Sequence, residues 1–526
     1  MKRSLCVFLA LLLLFSGCVI DPAPVQSETA ESEPVETVEP VQEGEKPFGL
    51  AFVRKYGFNP YDCVCLTNRP VISLCCEGLF VLGSSYQPEP VLCDRFAGSE
   101  DGKSYLFTLR QGAVFSDGTP VTAQDVVASL TAAADSAYYG SRFSKVTEFR
   151  AVDAQTVQIL LSVPYENLPL LLDVPIVQAD TVHDDIPLGS GPYRVDSAEE
   201  RYLLRRSARW WQDAEPPIDF ETIPLTATET PRQLRDSFEF GSTTLVCADL
   251  NAPTAVGYRC DYELWDNRTT ILQYLGFNLN RGLFADREFR ASVTHIIDRE
   301  GIIASAYQGF AEPAYLPCAP ASALYDKELA KNYRYDKDAF LSAKRIAGVT
   351  KETRCVFLVW AADATRLDAA HRIADALEDC GMSVEIRAQD REAYQKSLKN
   401  GDYDLYLGEA RLSGNFDLSE FFRAGGSLCC GGLQSSAMYE LSLAALENSG
   451  NCYELHKSIM DYGLFCPLLF KAYAVMANRG AIDSLQPAID SVFHLPGGRT
   501  LADASASYEQ LSGSLNPEES QPQENS

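Results

Sequence analysis

The most regular pattern of hydrophobic and polar positions lies between residues 105 and 130. Apolar side chains at 105, 107 and 109 alternate with the positions between them, which predicts a half-buried strand over residues 105–110. The Asp-Gly pair at 117–118 predicts a turn. Thr122 then stands at an N-cap position with Asp125 three residues later, and an apolar stripe at helical spacing follows. The segment therefore predicts a strand, a turn and a helix in succession.

A second pattern of this kind lies between residues 277 and 303. Asp286 is placed to cap a helix, on which Phe289, Val293 and Ile297 would share one face. Further along the chain, the apolar run VFLV predicts a strand that ends near Trp360.

The longest apolar run stands at the start of the chain. Two basic residues precede an apolar stretch at 5–15, and a small pair, Ser16-Gly17, precedes Cys18. This is the pattern of an export signal, and the cysteine after small residues resembles a lipobox. Residues 1–17 are therefore predicted to be removed as a signal peptide and Cys18 to carry a lipid. The alternative, a single membrane span, needs about 20 apolar residues.

Two segments have the amino-acid composition of intrinsically disordered regions. Residues 18–46 are rich in Pro, Glu, Ser and Thr and carry many acidic residues, which predicts an extended, self-repelling tether after the lipid. Residues 512–526 are similar and are predicted to be a disordered tail. The long stretch between these segments exceeds one hydrophobic core, so two or three domains are expected.

Charge and cysteine usage narrow the classes of function. A formal net charge of -27 argues against nucleic acid or anionic lipid as a partner, because both need a basic face. Of the 16 cysteines, 14 remain after Cys6 and Cys18 are set aside. Export favours disulfides, whereas adjacent cysteines and a strictly anaerobic source would favour free or mixed thiols, which we expect. With 5 histidines and no repeated CxxC pairs, neither a metal site nor a cofactor is expected.

Four segments, in order, carry a resemblance to a known family. They are YLFTLRQGAVFSDGTPVTAQDVVASL at 105–130, LGSGPYRV at 188–195, FNLNRGLFADREFRASVTHIIDREGII at 277–303 and DYDLYLGEARLSGNFDLSEFF at 402–422. Together they resemble the family 5 extracellular solute-binding proteins, which include the oligopeptide-, dipeptide- and nickel-binding components of ABC importers. Four ordered matches are far more specific than one.

The resemblance implies an α/β fold of the periplasmic-binding-protein type, in which two lobes joined by a hinge enclose a ligand in the cleft between them. Closure of such lobes converts the presence of a solute into a shape that a transporter can read. The predicted divisions are a discontinuous lobe one at 47–72, 186–275 and 475–511, a subdomain inserted in it at 73–185, and lobe two at 276–474.

The cleft motif departs from the peptide-binding pattern at one position. In peptide-binding relatives an aspartate there pairs with the free amine of the peptide, and the alignment places Gly414 at that position. A buried ammonium without a counter-charge costs several kcal/mol, so free peptides in that geometry are in doubt. A peptide-like solute is still the expected ligand.

The expected ligand-binding residues come from both lobes. A guanidinium such as that of Arg411 would suit a carboxylate on the ligand, and aromatic side chains commonly line such pockets. For each residue the alternative is a structural role, in a loop, a cap or the core. The candidates are Tyr61, Asn68, Arg69, Asn278, Trp360, Glu409, Arg411, Asn415 and Asp417.

The function implied by the resemblance is capture of a small solute outside the cytoplasmic membrane and its delivery to an ABC permease and ATPase. The protein would act as a lipid-anchored monomer without enzymatic activity. The alternatives are an exported hydrolase, for which no GxSxG or HExxH motif is present, a sensory or adhesive lipoprotein on the same fold, and a nickel or haem carrier. AGSEDGKS at 97–104 fits a loose phosphate-loop pattern, but a strand follows it where a helix is required, which predicts a hairpin turn.

Overall fold

The computed structural model of the protein describes residues 48–198, 201–252 and 255–513. The predicted signal peptide at 1–17, Cys18, the tether at 18–46 and the tail from 514 onward lie outside these residues. Ser512 and Gly513, which the sequence assigns to the tail, belong to the last helix. No helix in the described part of the chain is long and apolar enough to cross a membrane.

Strands supply the framework of the fold. They are β1 (Leu50–Phe52), β2 (Phe80–Leu82), β3 (Pro88–Pro90), β4 (Cys93–Gly98), β5 (Ser104–Leu109), β6 (Val146–Ala151), β7 (Thr156–Leu161), β8 (Tyr193–Ala198), β9 (Arg201–Arg206), β10 (Thr222–Ala227), β11 (Leu245–Ala248), β12 (Tyr262–Phe277), β13 (Ala311–Pro313), β14 (Arg354–Trp360), β15 (Ser383–Gln389), β16 (Leu405–Arg411) and β17 (Phe465–Asn478).

Helices cover the faces of the strands and connect them. They are α1 (Arg69–Cys75), α2 (Ala123–Asp135), α3 (Pro231–Glu239), α4 (Arg287–Ser292), α5 (Arg299–Ala306), α6 (Lys327–Lys331), α7 (Lys337–Ile346), α8 (Ala364–Asp379), α9 (Arg391–Asn400), α10 (Ser419–Phe422), α11 (Ser436–Glu447), α12 (Cys452–Asp461), α13 (Leu501–Ala504) and α14 (Tyr508–Gly513).

A mixed 11-stranded sheet runs through the described residues in the order β15-β14-β16-β12-β17-β11-β1-β10-β9-β8, with β13 paired to β17. Its centre is the antiparallel pair of β12, 16 residues long, and β17, 14 residues long. The predicted lobe boundaries at 275/276 and 474/475 fall inside these two strands, which therefore connect the regions assigned to lobe one and lobe two. The boundaries themselves stay predictions.

A separate antiparallel sheet, in the order β4-β5-β7-β6, lies within the region predicted to be an inserted subdomain. Its strand β5 confirms the strand expected over 105–110, but not its half-buried character. Leu106 is also buried because Leu511 of α14 packs on that face. Thr122 caps α2 as predicted, and its backbone N–H donates to the Asp125 carboxylate at 2.8 Å.

The segment at 97–104 forms a hairpin turn, as predicted. Strand β4 ends at Gly98, β5 begins at Ser104, and the Ser99 backbone N–H donates to the Ser104 carbonyl at 2.8 Å. No helix begins there, so the arrangement that a phosphate loop requires is missing.

The helix expected after Asp286 is shorter than predicted. Asp286 accepts a hydrogen bond from the Phe289 backbone N–H at 2.9 Å, which confirms the cap. The α-helix ends at Ser292, a 3-10 turn follows, and Ile297 is extended. Phe289 and Ile297 are nevertheless both buried in one core, since the chain bends around it.

The 14 cysteines of the described residues are all free thiols, in agreement with the expectation of free or mixed thiols. Most of them are buried, and burial raises the pKa of the Cys76 thiol to about 12. A buried thiol of high pKa is a poor nucleophile, so these side chains serve mainly as small apolar groups.

Candidate functional site

A cavity of about 90 Å³ lies between the region of the small sheet and a loop near the end of the described chain. Its lining comes from α1, β2, residues 138–142, residues 173–175 and the loop at 489–495. Ligand pockets commonly measure about 300–1,000 Å³. In this conformation the cavity therefore has room for one polar group and a few carbons of a solute rather than for a long peptide.

Arg69 is the arginine of this cavity that forms no ion pair among the described residues. Its guanidinium carbon lies 3.9 Å from the ring centroid of Tyr138, and its Nη1 donates to the Tyr139 hydroxyl at 3.1 Å. Its Nη2 is buried and has no hydrogen-bond partner among the described residues. Although burial opposes the charge, the two phenols hold the pKa of Arg69 above its ordinary value. The side chain is thus a fixed, incompletely bonded cation.

A second arginine of the cavity is fully compensated. Arg142 pairs with Asp173, and both side chains are largely buried. The guanidinium carbon of Arg142 also lies 4.9 Å from the ring centroid of Tyr139. This pair fixes Tyr139, and through it the position of Arg69, without leaving a free charge.

Arg411 reaches the far wall of the cavity from the end of β16. Its Nη1 donates to the Asp490 carboxylate at 2.6 Å, its Nη2 donates to the Tyr473 hydroxyl at 3.1 Å, and its guanidinium carbon lies 5.1 Å from the Tyr138 ring centroid. Arg69 and Arg411 therefore both contact Tyr138, one from each side of the predicted cleft. The charge of Arg411, unlike that of Arg69, is already paired.

The loop that carries Asp490 is held against β12. The buried Asn267 amide donates to the carbonyls of Ala488 at 2.6 Å and Ser491 at 3.0 Å. Asp490 itself has a φ of 56°, in the left-handed region that residues other than glycine rarely adopt. Such backbone strain persists only where the surroundings impose it and is concentrated at ligand sites.

Glu77 is the remaining carboxylate in the lining. It accepts hydrogen bonds from the indole N–H groups of Trp210 at 3.0 Å and Trp211 at 2.7 Å. It also accepts from the Gln212 amide and the Ser190 hydroxyl, each at 2.7 Å. Burial raises the pKa of Glu77, against the effect of these four donors. Both carboxylate oxygens are therefore occupied, and within the described chain Glu77 forms no ion pair.

A group of buried charges adjoins Arg411 at the centre of the large sheet. Lys471 of β17 contacts Asp249 at 2.8 Å and Glu409 at 3.6 Å, and Glu409 also contacts Arg366 at 3.0 Å. Burial opposes ionisation of Glu409, but the charges of Arg366 and Lys471 hold its pKa below the ordinary value. These residues come from segments predicted to lie in both lobes, so the group connects them electrostatically.

A wider cavity, of about 450 Å³, lies beside β1, β11 and the start of α3. Its lining contains no buried polar atom without a partner among the described residues. Converging polar groups with free hydrogen-bonding capacity fix the orientation of a ligand, and the described lining offers no buried one that is free. The cavity next to Arg69 is therefore the better candidate site.

Comparison with known families decides the class of protein. Residues 87–427 match the family model for bacterial extracellular solute-binding proteins, family 5 Middle. The chain belongs to family 5 of the bacterial extracellular solute-binding proteins. The family resemblance seen in the four sequence motifs is thereby confirmed, as is the two-lobed α/β fold of the periplasmic-binding-protein type.

Relatives of this family 5 protein include both sequences and structures. It is similar to the glutathione-binding protein GsiB of Escherichia coli (strain K12), with 25% identity over 271 residues, 49% of this chain and 52% of that protein. The chain thus spans about half the length of that relative.

Two solved structures share the fold. The ABC transporter substrate-binding protein CtaP of Listeria monocytogenes has a TM-score of 0.67 and 17% identity, over 85% of this chain and 97% of that one. The nickel ABC transporter protein of Bacillus halodurans has a TM-score of 0.66 and 21% identity, over 82% and 95%.

Gly414 of this family 5 protein lies in a tightly packed contact. A Cβ atom at this position would stand 2.7 Å from the Leu170 carbonyl oxygen and 2.9 Å from Cδ1 of Leu82. Next to it, Phe416 packs on Tyr86 with 5.2 Å between ring centroids. The position that the sequence motif aligns with the aspartate of peptide-binding relatives is therefore closely packed against Leu170 and Leu82, and it carries no carboxylate.

The structure brings some of the predicted site residues to the cavity. Arg69 lines it, and Arg411 contacts it through Asp490. Tyr61 is buried beneath it and donates to the carbonyl of Pro175, a lining residue, at 2.8 Å.

Asn415 and Asp417 lie on the loop that contacts the inserted region. The Asn415 amide donates to the Tyr165 hydroxyl, and Asp417 accepts from the Ser419 backbone N–H at 2.8 Å. Burial raises the pKa of Asp417. Both side chains thus hold the loop in contact with its neighbours.

The remaining candidates have structural contacts. The Asn68 amide donates to the carbonyls of Val53 at 3.1 Å and Gly57 at 2.7 Å. Asn278 donates in the same way to the carbonyls of Gly401 and Tyr403. Trp360 lies under Arg366, 5.3 Å from the guanidinium carbon to the ring centroid, and Glu409 belongs to the buried charge group described above.

Several polar residues of the cavity were missed from the sequence, and four of them surround Arg69 and Arg411. They are Tyr138, Tyr139, Arg142 and Asp490. The cluster YYGSR at 138–142 is the signal that could have found three of them, since it places two phenols and a guanidinium within one turn after a helix. Asp490 stands in a segment without periodicity, so no local pattern indicates it. Among the described residues no group of three or more side chains could hold a metal ion.

Proposed function

We propose that this protein is the lipid-anchored solute receptor of an ABC importer, which captures a small, peptide-like solute between its lobes and delivers it to a permease. Family 5 membership, from the match over residues 87–427, is the observation that carries the proposal. Cys18 would hold the lipid on the outer face of the cytoplasmic membrane, residues 18–46 would give the receptor reach, and the receptor would work as a monomer.

The cavity beside Arg69 supports this function in two ways. Its lining residues belong to the segments predicted as lobe one and its inserted subdomain, and Arg411 of predicted lobe two adjoins it through Asp490 and Tyr138. A ligand drives closure only through contacts that are better in the closed state, and a solute beside Arg69 would gain such contacts on the side where Arg411 adjoins the cavity. The strained backbone at Asp490, with a φ of 56°, indicates that this part of the lining is built for a defined geometry.

Among the alternatives, the exported hydrolase has the least support. The carboxylates of the cavity are paired or hydrogen-bonded, and the buried His456 stands next to Cys318, at 3.8 Å between Nδ1 and Sγ. Burial lowers the pKa of His456 to about 4, so it stays neutral. A sensory lipoprotein would share the binding step and differ only in its partner.

Native mass spectrometry of the protein purified from its own cells tests the binding step, because closed receptors retain their solute. Uptake of that solute should then fall in cells that lack the protein. A Cys18→Ser variant should leave the membrane fraction while still binding. Retention of the solute without any effect of the deletion on uptake would favour the sensory alternative.

The pair Arg411→Ala and Asn415→Ala tests the cleft. We expect weaker binding of the retained solute, because both changes loosen the walls of the cavity. Arg372→Ala is the matched control, since its ion pair with Asp368 lies on the exposed face of α8. Unchanged affinity in the double variant would contradict the assignment of the cleft.

A further inference from the structure

We infer that the solute carries a carboxylate, that Arg69 is the residue that binds this group, and that a free amine on the solute is not required. The inference deepens the proposed function and rests on it. It concerns the chemical class of the ligand, which family membership leaves open.

The charges of the cavity give the first step. Arg142 is neutralised by Asp173, and Asp490 is neutralised by Arg411. The guanidinium of Arg69 contacts two phenols, with Tyr138 against its face and the Tyr139 hydroxyl as its hydrogen-bond acceptor. The guanidinium of Arg69 therefore has no ion-pair partner among the described residues, and a negatively charged solute would supply one.

Hydrogen bonding gives the second step. Glu77 is the other unpaired ionisable group of the lining, and its two oxygens already accept four hydrogen bonds. It is therefore not an acceptor for Arg69. The buried Nη2 of Arg69 has no acceptor among the described residues, and a buried donor without an acceptor is costly. A carboxylate accepts from a guanidinium with strong, charge-assisted hydrogen bonds.

The loop at Gly414, which packs on the lining residue Leu82, lacks the usual site for an amine. Gly414 offers no carboxylate, and the Leu170 carbonyl and the Leu82 side chain occupy the space that a side chain there would need. Asp173 and Asp490 are ion-paired and both oxygens of Glu77 already accept hydrogen bonds, so an ammonium group would find no free acceptor among these carboxylates. Recognition by the carboxylate alone follows from these contacts.

Four matched probes separate the two groups: glycylglycine, its C-terminal amide, N-acetylglycylglycine and the amide of that compound. Each is added to the purified full-length protein, and thermal unfolding is followed, since a ligand that binds the folded state raises the unfolding temperature. We expect both acids to stabilise the protein, with or without the acetyl group, and both amides to have no effect.

Variants then assign the carboxylate to Arg69. In Arg69→Gln the acids should bind about tenfold weaker or worse, as expected for loss of a charge-assisted hydrogen bond, while Arg69→Lys should recover part of the affinity. Arg372→Gln, on the exposed face of α8, should bind as the unaltered protein does. Because the acid-amide comparison uses the unaltered protein, the test does not depend on the folding of a variant.

The outcomes separate this inference from the proposed function. Stabilisation by the amides as strong as by the acids, or a retained solute that is neutral or cationic, would overturn the carboxylate assignment and leave the receptor function intact. Failure of both acids to stabilise the protein would also overturn it. Loss of the proposed function would instead appear as a carboxylate solute that binds at Arg69 while its uptake is unaffected by removal of the protein.

Discussion

Replacement of Gly414 by alanine is the most direct test of how tightly this glycine packs on Leu170 and Leu82. The added Cβ would stand 2.7 Å from the Leu170 carbonyl oxygen and 2.9 Å from Cδ1 of Leu82. Carbon atoms pack best at about 3.5–4.0 Å, so the contact with Cδ1 is too short by roughly 0.6–1.1 Å, and the contact with the carbonyl oxygen is also closer than a Cβ atom tolerates. The Leu82 side chain is able to rotate away, but the backbone carbonyl is fixed by its own chain.

The expected loss follows from these contacts. Overpacking of this kind costs about 1–3 kcal/mol, and the fixed carbonyl places Gly414→Ala in the upper half of that range. Gly414→Asp adds a carboxylate to the same buried contact, at a further cost of several kcal/mol. The Gly414→Asp variant should lower the stability of the folded protein rather than create a binding site for an amine.

Urea denaturation with an unchanged m-value is the assay, because a shift of the midpoint at constant m reports stability alone. Gly257→Ala is the control, since a Cβ there meets no atom within 4 Å and should change stability by less than about 1 kcal/mol. Combining Gly414→Ala with Leu82→Ala should relieve one of the two short contacts and give a non-additive loss. A Gly414→Ala protein as stable as the original, or a Gly414→Asp protein that gains affinity for free-amine peptides, would refute this reasoning.

Three further predictions concern buried charge. Lys471→Met should cost about 3–5 kcal/mol in urea denaturation, because it leaves Asp249 without its ion-pair partner. The lowered pKa of Glu409 implies stability that is present above the unfolded-state pKa of about 4.3 and is lost as the pH falls through the folded-state pKa. Glu409→Gln should therefore flatten the acid side of a plot of urea midpoint against pH, and an unchanged acid side would contradict this. Glu77→Gln should cost about 1–3 kcal/mol, measured in the same way, because its amide nitrogen would face donors such as the Trp211 indole, and a neutral effect would argue against the four hydrogen bonds.

Local structure was predictable where a few neighbouring residues decide it. Thr122 and Asp286 cap helices as expected, because a cap is a contact over three positions. The burial of Leu106 was not predictable, since the residue that covers it, Leu511, lies at the other end of the chain. The early end of the helix after Asp286 has a similar cause, because packing onto the core overrides a regular apolar spacing.

In the candidate site, too, the sequence predicts local features but not those that depend on residues distant in sequence. Arg69 and Arg411 were both expected to bind a ligand, and sequence alone gives no reason to separate two arginines of this kind. Their difference comes from Asp490, which neutralises Arg411 from a loop held to β12 by a side chain far away in sequence. Arg69 meets only phenols and keeps its charge available. Whether an arginine is free to bind the solute therefore depends on the ion-pair partner that residues distant in sequence supply. A motif can thus predict where a binding site lies, but it does not predict which of its arginines keeps an unpaired charge.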